Sequence, residues 1–250
     1  MSEDLPLEGR IVVVTGASRG IGYEAAKGFA AAGAHIIAVA RTVGGLEELD
    51  DEIKAAGGSA TLVPLDMQDS PGIDRLGGAI FERWKKLDVL FANAGLLGQL
   101  SPLPHVPPKV WDDVFAVNVT ANYRLIRSLD PLLRQSDAAR VLLMTSGITR
   151  TCRPFWGPYS ASKAALEAMG RTYAQEVEKT PIRVVVIAPG PMRTGMRAQA
   201  MPGEDPMTLP HPSEIVPYLV EMASPKFQRT NVLFDFPSKR YEEWPRAAVA

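Results

Sequence analysis

Apolar runs along the chain alternate with stretches in which apolar residues recur every three or four positions. "RIVVVT" (10–15) is a continuous β-branched run, the pattern of a strand buried on both faces. Residues 20–32 place Ile21, Ala25, Phe29 and Ala32 at helical spacing, with Gly33 as the stop. "AHIIAVA" (34–40) predicts a second strand, and Leu46, Leu49 and Ile53 mark a second helix closed by Gly57-Gly58. "ATLVPLD" (60–66) predicts a third strand, where Pro64 suits a sheet edge. A helix over about 71–86, the strand "LDVLFAN" (87–93) and a long helix from Pro107-Pro108 to about Asp130 follow. "ARVLLMTS" (139–146), a helix over about 158–179 and "IRVVVIAP" (182–189) continue the alternation.

Such alternation predicts an α/β fold, a parallel sheet with helices on both faces, formed by residues 1–250 as a single domain. Right-handed crossovers bring the strand C-termini to one edge, where ligands bind near the switch in strand order. The polar and glycine-rich segments fall at that edge: 15–22, 40–42, 66–67, 93–95, 145–146 and 189–194.

Composition mainly excludes. With 46% hydrophobic and 22% charged residues and a net charge of -1, the chain carries no basic footprint for nucleic acid. Its apolar runs are far shorter than the ~20 residues that span a bilayer. The start, "MSEDLPLEGR", lacks an apolar signal core, and Cys152 is the only cysteine, so a cytoplasmic protein without an intrachain disulfide or a membrane partner is expected. His35, His105 and His211 are scattered, and no metal site is expected.

Two ends of one site can be read from the remaining polar residues. "VTGASRGIG" places Gly16, Gly20 and Gly22 between a strand and a helix, where missing side chains let the backbone approach a pyrophosphate at a helix N-terminus. Strand two ends in Ala40-Arg41-Thr42 with no carboxylate to take a ribose hydroxyl; Arg41, with Arg19 beside it, suits a 2′-phosphate, so NADP(H) is favoured over NAD(H). At the other end, Tyr159 and Lys163 lie one helical turn apart. An ammonium beside a phenol stabilises the phenolate and makes it a workable acid–base group. Ser146 ends strand five 13 residues before Tyr159, placed to bind an oxygen whose charge changes. Asn118, an amide in the apolar stretch "FAVNVTAN", needs a partner and suits a water relaying protons to Lys163.

The motifs Thr15-Gly16-x3-Gly20-x-Gly22, Asp66, Asn93-Ala94-Gly95, Asn118, Ser146, Tyr159-x3-Lys163 and Pro189-Gly190 with Thr194 resemble, in order and spacing, those of the short-chain dehydrogenase/reductase superfamily. The resemblance implies a Rossmann-type doubly wound sheet of about seven parallel strands, in the order 3-2-1-4-5-6-7, in three α/β/α layers. It implies a catalytic tetrad of Asn118, Ser146, Tyr159 and Lys163, with Tyr159 as the acid–base. It also implies a cofactor set of Gly16, Ser18, Arg19, Gly20, Ile21, Arg41, Asp66, Met67, Asn93, Ala94, Gly95, Tyr159, Lys163, Pro189, Gly190 and Thr194. Asp66 would meet the adenine, and Thr194 the carboxamide. The reaction would be hydride transfer between a small carbonyl compound and a secondary alcohol, with a redox-neutral epimerase or dehydratase, or a non-catalytic nucleotide-binding regulator, as the alternatives. The protein would be a homodimer or homotetramer. "NAGLLG", "WGPYSASKAALEAM" and "NVLFDF" are further similar to a bacterial subgroup labelled by analogy as oxoacyl-carrier-protein reductases.

The family's usual glycine-containing end is replaced here by "FDFPSKRYEEWPRAAVA", an atypical tail within about 226–250; "NVLFDF" (231–236) is the predicted seventh strand. This ending argues against the family's usual tetramer and leaves a dimer through the long helices. Residues 191–212 read as a lid rich in proline and methionine. Arg150, Arg153, Arg193 and Arg197 read as surface cations or, alternatively, as a site for an anionic substrate, and Phe155 and Trp156 as a pocket wall or as core packing.

Overall fold

Side-chain alternation along the first strand sets the layers. Val12 and Val14 join a buried cluster with Phe29, Leu46 and Leu219, whereas Ile11 and Val13 join another with Ile73, Leu125 and Leu166. A strand apolar on both faces needs cover on both, and helices supply it.

The computed structural model describes residues 5–245; the first four residues and the last five of the predicted tail lie outside the described residues. The elements run β1 (Ile11–Thr15), α1 (Gly20–Ala31), β2 (His35–Ala40), α2 (Val43–Ala55), β3 (Ser59–Pro64), α3 (Ser70–Trp84) and β4 (Val89–Ala92). Then come α4 (Pro108–Phe115), a π-helical turn (Ala116–Thr120), α5 (Ala121–Leu133), β5 (Arg140–Met144), α6 (Ile148–Thr151), α7 (Gly157–Glu176) and β6 (Arg183–Ala188). The chain continues through α8 (Gly195–Ala200), α9 (Val216–Ala223), β7 (Val232–Asp235) and β8 (Arg240–Glu243). The sheet order is β3-β2-β1-β4-β5-β6-β7-β8, parallel except for the β7–β8 pair. Helices α1, α2 and α9 cover one face, and α3, α5 and α7 the other. The switch in order falls between β1 and β4, as expected for a Rossmann sheet. Among the described residues no helix is long and apolar enough to cross a membrane.

Two expectations need correction. Eight strands are present where about seven were expected: the tail turns back and lays β8 antiparallel on β7, with Tyr241 packed against Phe234 at a ring separation of 4.9 Å. The long helix is also not uniform, because the π-helical turn at Ala116–Thr120 interrupts it around Asn118. Pro64 closes β3, which is indeed an edge strand.

The far edge of the sheet is held by a fully buried carboxylate. Asp88 accepts the Ile11 backbone N–H at 2.9 Å and the Ser136 hydroxyl at 2.6 Å, with the Lys86 ammonium at 3.1 Å and the Arg10 guanidinium at 3.9 Å. This ties the start of β1 to the start of β4, the two strands on either side of the switch. Removing one member leaves buried charge and a backbone donor without partners. Asp88→Ala is therefore expected to lower the free energy of unfolding by about 3 kcal/mol, read by urea denaturation. A loss below about 1 kcal/mol would contradict this role.

Candidate active site

At the C-terminal edge of the sheet, on both sides of the switch, lies a cleft of about 440 Å³. The glycine loop forms one end. Gly16 has φ +68°, and a Cβ there would come within 3.0 Å of both the Ala94 Cα and the Asn93 side-chain nitrogen. At Gly22 a Cβ would sit 2.6 Å from the same Asn93 nitrogen and against the Gly16 carbonyl oxygen. No side chain caps α1, and no acidic residue stands in its first turn. Its free N–H groups and positive end therefore suit an anion, and the loop leaves room for a backbone-hugging pyrophosphate. On these grounds the residues present fit a dinucleotide.

Thr15 joins the two strands at the switch. Its hydroxyl accepts the backbone N–H groups of Asn93 and Ala94, both at 3.0 Å, and the Asn93 amide donates back to the Thr15 carbonyl at 3.0 Å. Arg41 and Asp66, given separate roles in the sequence, stand 3.7 Å apart across the ends of β2 and β3. Arg41 is exposed and Asp66 half-buried, and both line the cleft together with Arg19. Like α1, α2 begins without a side-chain cap or an acidic first turn.

At the other end are Ser146, Tyr159 and Lys163. The Ser146 hydroxyl oxygen accepts the Ile148 N–H at 3.3 Å, which leaves its own proton to donate. Tyr159 is 8% exposed, and burial pushes its phenol up to about 12, while hydrogen bonding from Ser146 draws it back down. Lys163, 2% exposed, is pushed down to about 8 by burial, and Glu167 opposes that shift. Its ammonium donates to the Met144 carbonyl at 2.8 Å and lies 5.7 Å from the centre of the Tyr159 ring. Desolvation is the largest effect on the phenol, and the Lys163 ammonium is directed at a backbone carbonyl.

Asn118 lies beneath this group, fully buried. Its side-chain amide donates to the Leu96 carbonyl and the Ser162 hydroxyl, both at 2.9 Å, and accepts the Leu96 N–H at 2.8 Å. Both amide protons and the side-chain oxygen are thus engaged within the protein. The Asn118 backbone carbonyl accepts the Asn122 amide at 2.8 Å.

The cleft brings together every predicted cofactor residue; Asn118 supports it from below. Thr194 lies across from Gly20, but its hydroxyl accepts the Arg197 N–H at 3.2 Å as the cap of α8. Three of the four arginines suggested for an anionic substrate are engaged elsewhere. Arg193 donates to the Pro206 and Leu209 carbonyls, Arg197 pairs with Glu204, and Arg150 with Glu242. Trp156 lines the cleft with its ring 6.0 Å from that of Tyr159, whereas Phe155, at φ 75°, is exposed and does not line it. Leu97, Ile148 and Ala200, not singled out in the sequence, form an apolar cluster with Tyr159, against which Met196 and Met201 pack. Their only local signal was position: Leu97 follows Asn93-Ala94-Gly95, and Ile148 follows Ser146.

The family model described as short chain dehydrogenase matches residues 10–205. An uncharacterized oxidoreductase of Escherichia coli K12, YciK, is 39% identical over 233 residues, 92% of each chain. The rhamnolipids biosynthesis 3-oxoacyl-[acyl-carrier-protein] reductase of Pseudomonas aeruginosa is 35% identical over 217 residues, covering 84% of this chain and 83% of that one. A short-chain dehydrogenase from Shigella flexneri, solved in complex with NADP, superposes with a TM-score of 0.90 at 37% identity, covering 94% of this chain and 100% of that one.

Proposed function

The chain belongs to the short-chain dehydrogenase family of oxidoreductases, and on that premise we propose that it interconverts a carbonyl and a secondary alcohol with NADP(H), using Tyr159 as the acid–base. The observation that carries this reading is the convergence of Ser146, Tyr159 and Lys163 at one end of a cleft whose other end is the glycine loop. Bound there, the nicotinamide supplies or accepts hydride. In reduction the Ser146 hydroxyl donates to the substrate oxygen, and Tyr159 passes its proton to that oxygen as negative charge develops. The Lys163 ammonium offsets the charge left on the phenol. Asn118 holds Leu96 and Ser162 and so steadies the floor beneath both groups.

The preference for the phosphorylated cofactor rests on Arg41 and Arg19 beside two helix starts without acidic residues. Two structural relatives solved with NADP and NADPH support it. Asp66 fits this corner by holding Arg41 in place as well as by any contact with adenine. The apolar cluster around Tyr159 favours a substrate with an uncharged, apolar group next to its carbonyl. Residues 191–212 form the lid in this reading, braced by Arg193 and the Arg197–Glu204 pair. Because β8 occupies the β7 edge, assembly is taken to be a homodimer through the helices.

Tyr159→Phe is expected to leave NADPH affinity within about threefold of wild type and to lower turnover at least about a hundredfold. Retained turnover in that variant refutes the mechanism. Since the phenol holds its proton to about 12 and Lys163 loses its charge near about 8, kcat/KM for reduction should be level below neutrality and fall as pH rises through Lys163's range. An acidic limb without a basic one reverses the assignment. In a carbonyl panel run with both cofactors, NADPH should be preferred to NADH, and Arg41→Ala should cut that preference by about tenfold. A wild-type preference for NADH sinks the cofactor reading.

A further inference from the structure

The row of α7 that carries Tyr159 and Lys163 continues one turn further to Glu167, a residue not used in the mechanism above. One of its carboxylate oxygens receives two hydroxyls from the chain that leaves β5. Thr145 donates to it at 2.8 Å, and the Thr149 hydroxyl lies 2.9 Å away. Thr145 is 1% exposed, and its one other acceptor, the Lys163 carbonyl, is at 3.5 Å. Without Glu167 this buried hydroxyl keeps only a marginal bond. The Thr149 hydroxyl also lies 3.0 Å from the Ser146 carbonyl, so its single proton bridges the carboxylate and that carbonyl.

Ser146 lies between the two threonines. Its hydroxyl direction is set by the turn that places the Ile148 N–H on its oxygen. That turn is fixed at both ends by the same carboxylate oxygen, on the helix that also carries Tyr159. We propose that Glu167 is a positioning residue of the reaction centre: its carboxylate clamps the Thr145–Thr149 turn onto α7, and its charge stands one helical turn beyond the Lys163 ammonium.

The two parts of the proposal can be separated. The clamp needs only an oxygen acceptor, which a glutamine amide also offers. The effect on Lys163 needs the negative charge, and Glu167 is the group that raises Lys163 against its burial. The groups around Lys163 are Tyr159 and Glu167 on α7, the Met144 carbonyl from β5, and Asn118 and Gly95 from the neighbouring segments. Arg150 also feels the Glu167 charge but is paired with Glu242. Glu167 is therefore the nearby carboxylate acting on Lys163 among the described residues.

The kinetic half of this proposal rests on the assignment of Tyr159 and Ser146 above. Glu167→Ala is expected to lower kcat by about tenfold or more with the KM for NADPH little changed, because a small misplacement of Ser146 costs turnover rather than cofactor binding. Glu167→Gln should recover most of that loss. Its basic limb, in kcat/KM and in the pH dependence of NADPH binding followed by nicotinamide fluorescence, should nevertheless move to lower pH than in the wild type. Thr145→Val with Thr149→Val should share the kcat loss of Glu167→Ala and keep the wild-type limb. Wild-type kcat in Glu167→Ala, or an unmoved limb in Glu167→Gln, overturns the proposal. Crystal structures of the wild type and Glu167→Ala read the clamp without turnover, and an unchanged Thr145–Thr149 turn overturns it. If the wild type reduces no carbonyl, the assignment of the reaction fails and the crystal structures alone decide the clamp.

Discussion

A lysine with 2% of its surface exposed, Lys163, is the constraint on which the Tyr159 end of the cleft depends. Its one hydrogen bond among the described residues goes to the carbonyl of Met144, the last residue of β5, at 2.8 Å. A buried charge is tolerated only where its surroundings answer it. That bond can form only if α7 crosses the C-terminal end of β5 closely, and the same crossing brings Tyr159 over Ser146. The packing of one helix against one strand end thus satisfies a charge and assembles a site at once. The ammonium has three donors and uses one on protein, so the packing leaves two for whatever enters the cleft.

Desolvation sets the order in which the two groups titrate. It raises the phenol to about 12 and lowers the ammonium to about 8, so the lysine gives up its proton first. Had the lysine charge governed the tyrosine, the reverse order would hold. The phenol therefore keeps its proton throughout the physiological range, and what varies with pH is the neighbouring charge. A site of this kind is charged for donation, and a change in its solvation on ligand entry alters both groups together.

The sequence already carried the sheet and most of the cleft. Runs such as Ile11–Thr15 are apolar on both faces because helices lie on both, and the glycine spacing and the Tyr159–Lys163 interval are local patterns that fold as written. What escaped was non-local. β8 reads as "RYEE", too charged to suggest a strand, and it exists because β7 offers an open edge and Phe234 offers a ring to Tyr241. The π-helical turn holds Asn118 against Leu96 and Ser162, residues far from it along the chain. Arg41 and Asp66 looked like separate ligand contacts because only the β2–β3 pairing makes them neighbours.

The same distinction explains why three arginines near the cleft in sequence do not form an anion site. A guanidinium has five donors, and an unpaired one is conspicuous only while the rest of the fold is unknown. Arg193 spends its donors on the Pro206 and Leu209 carbonyls, bracing the segment between α8 and α9, and Arg197 meets Glu204 within that segment. Arg150 ties α6 to β8 through Glu242. These cations brace segments beside the cleft, whereas the buried apolar side chains clustered with Tyr159 are Leu97, Ile148 and Ala200. The segments after β6 are thus pinned by their own charges beside an apolar cluster that includes Tyr159.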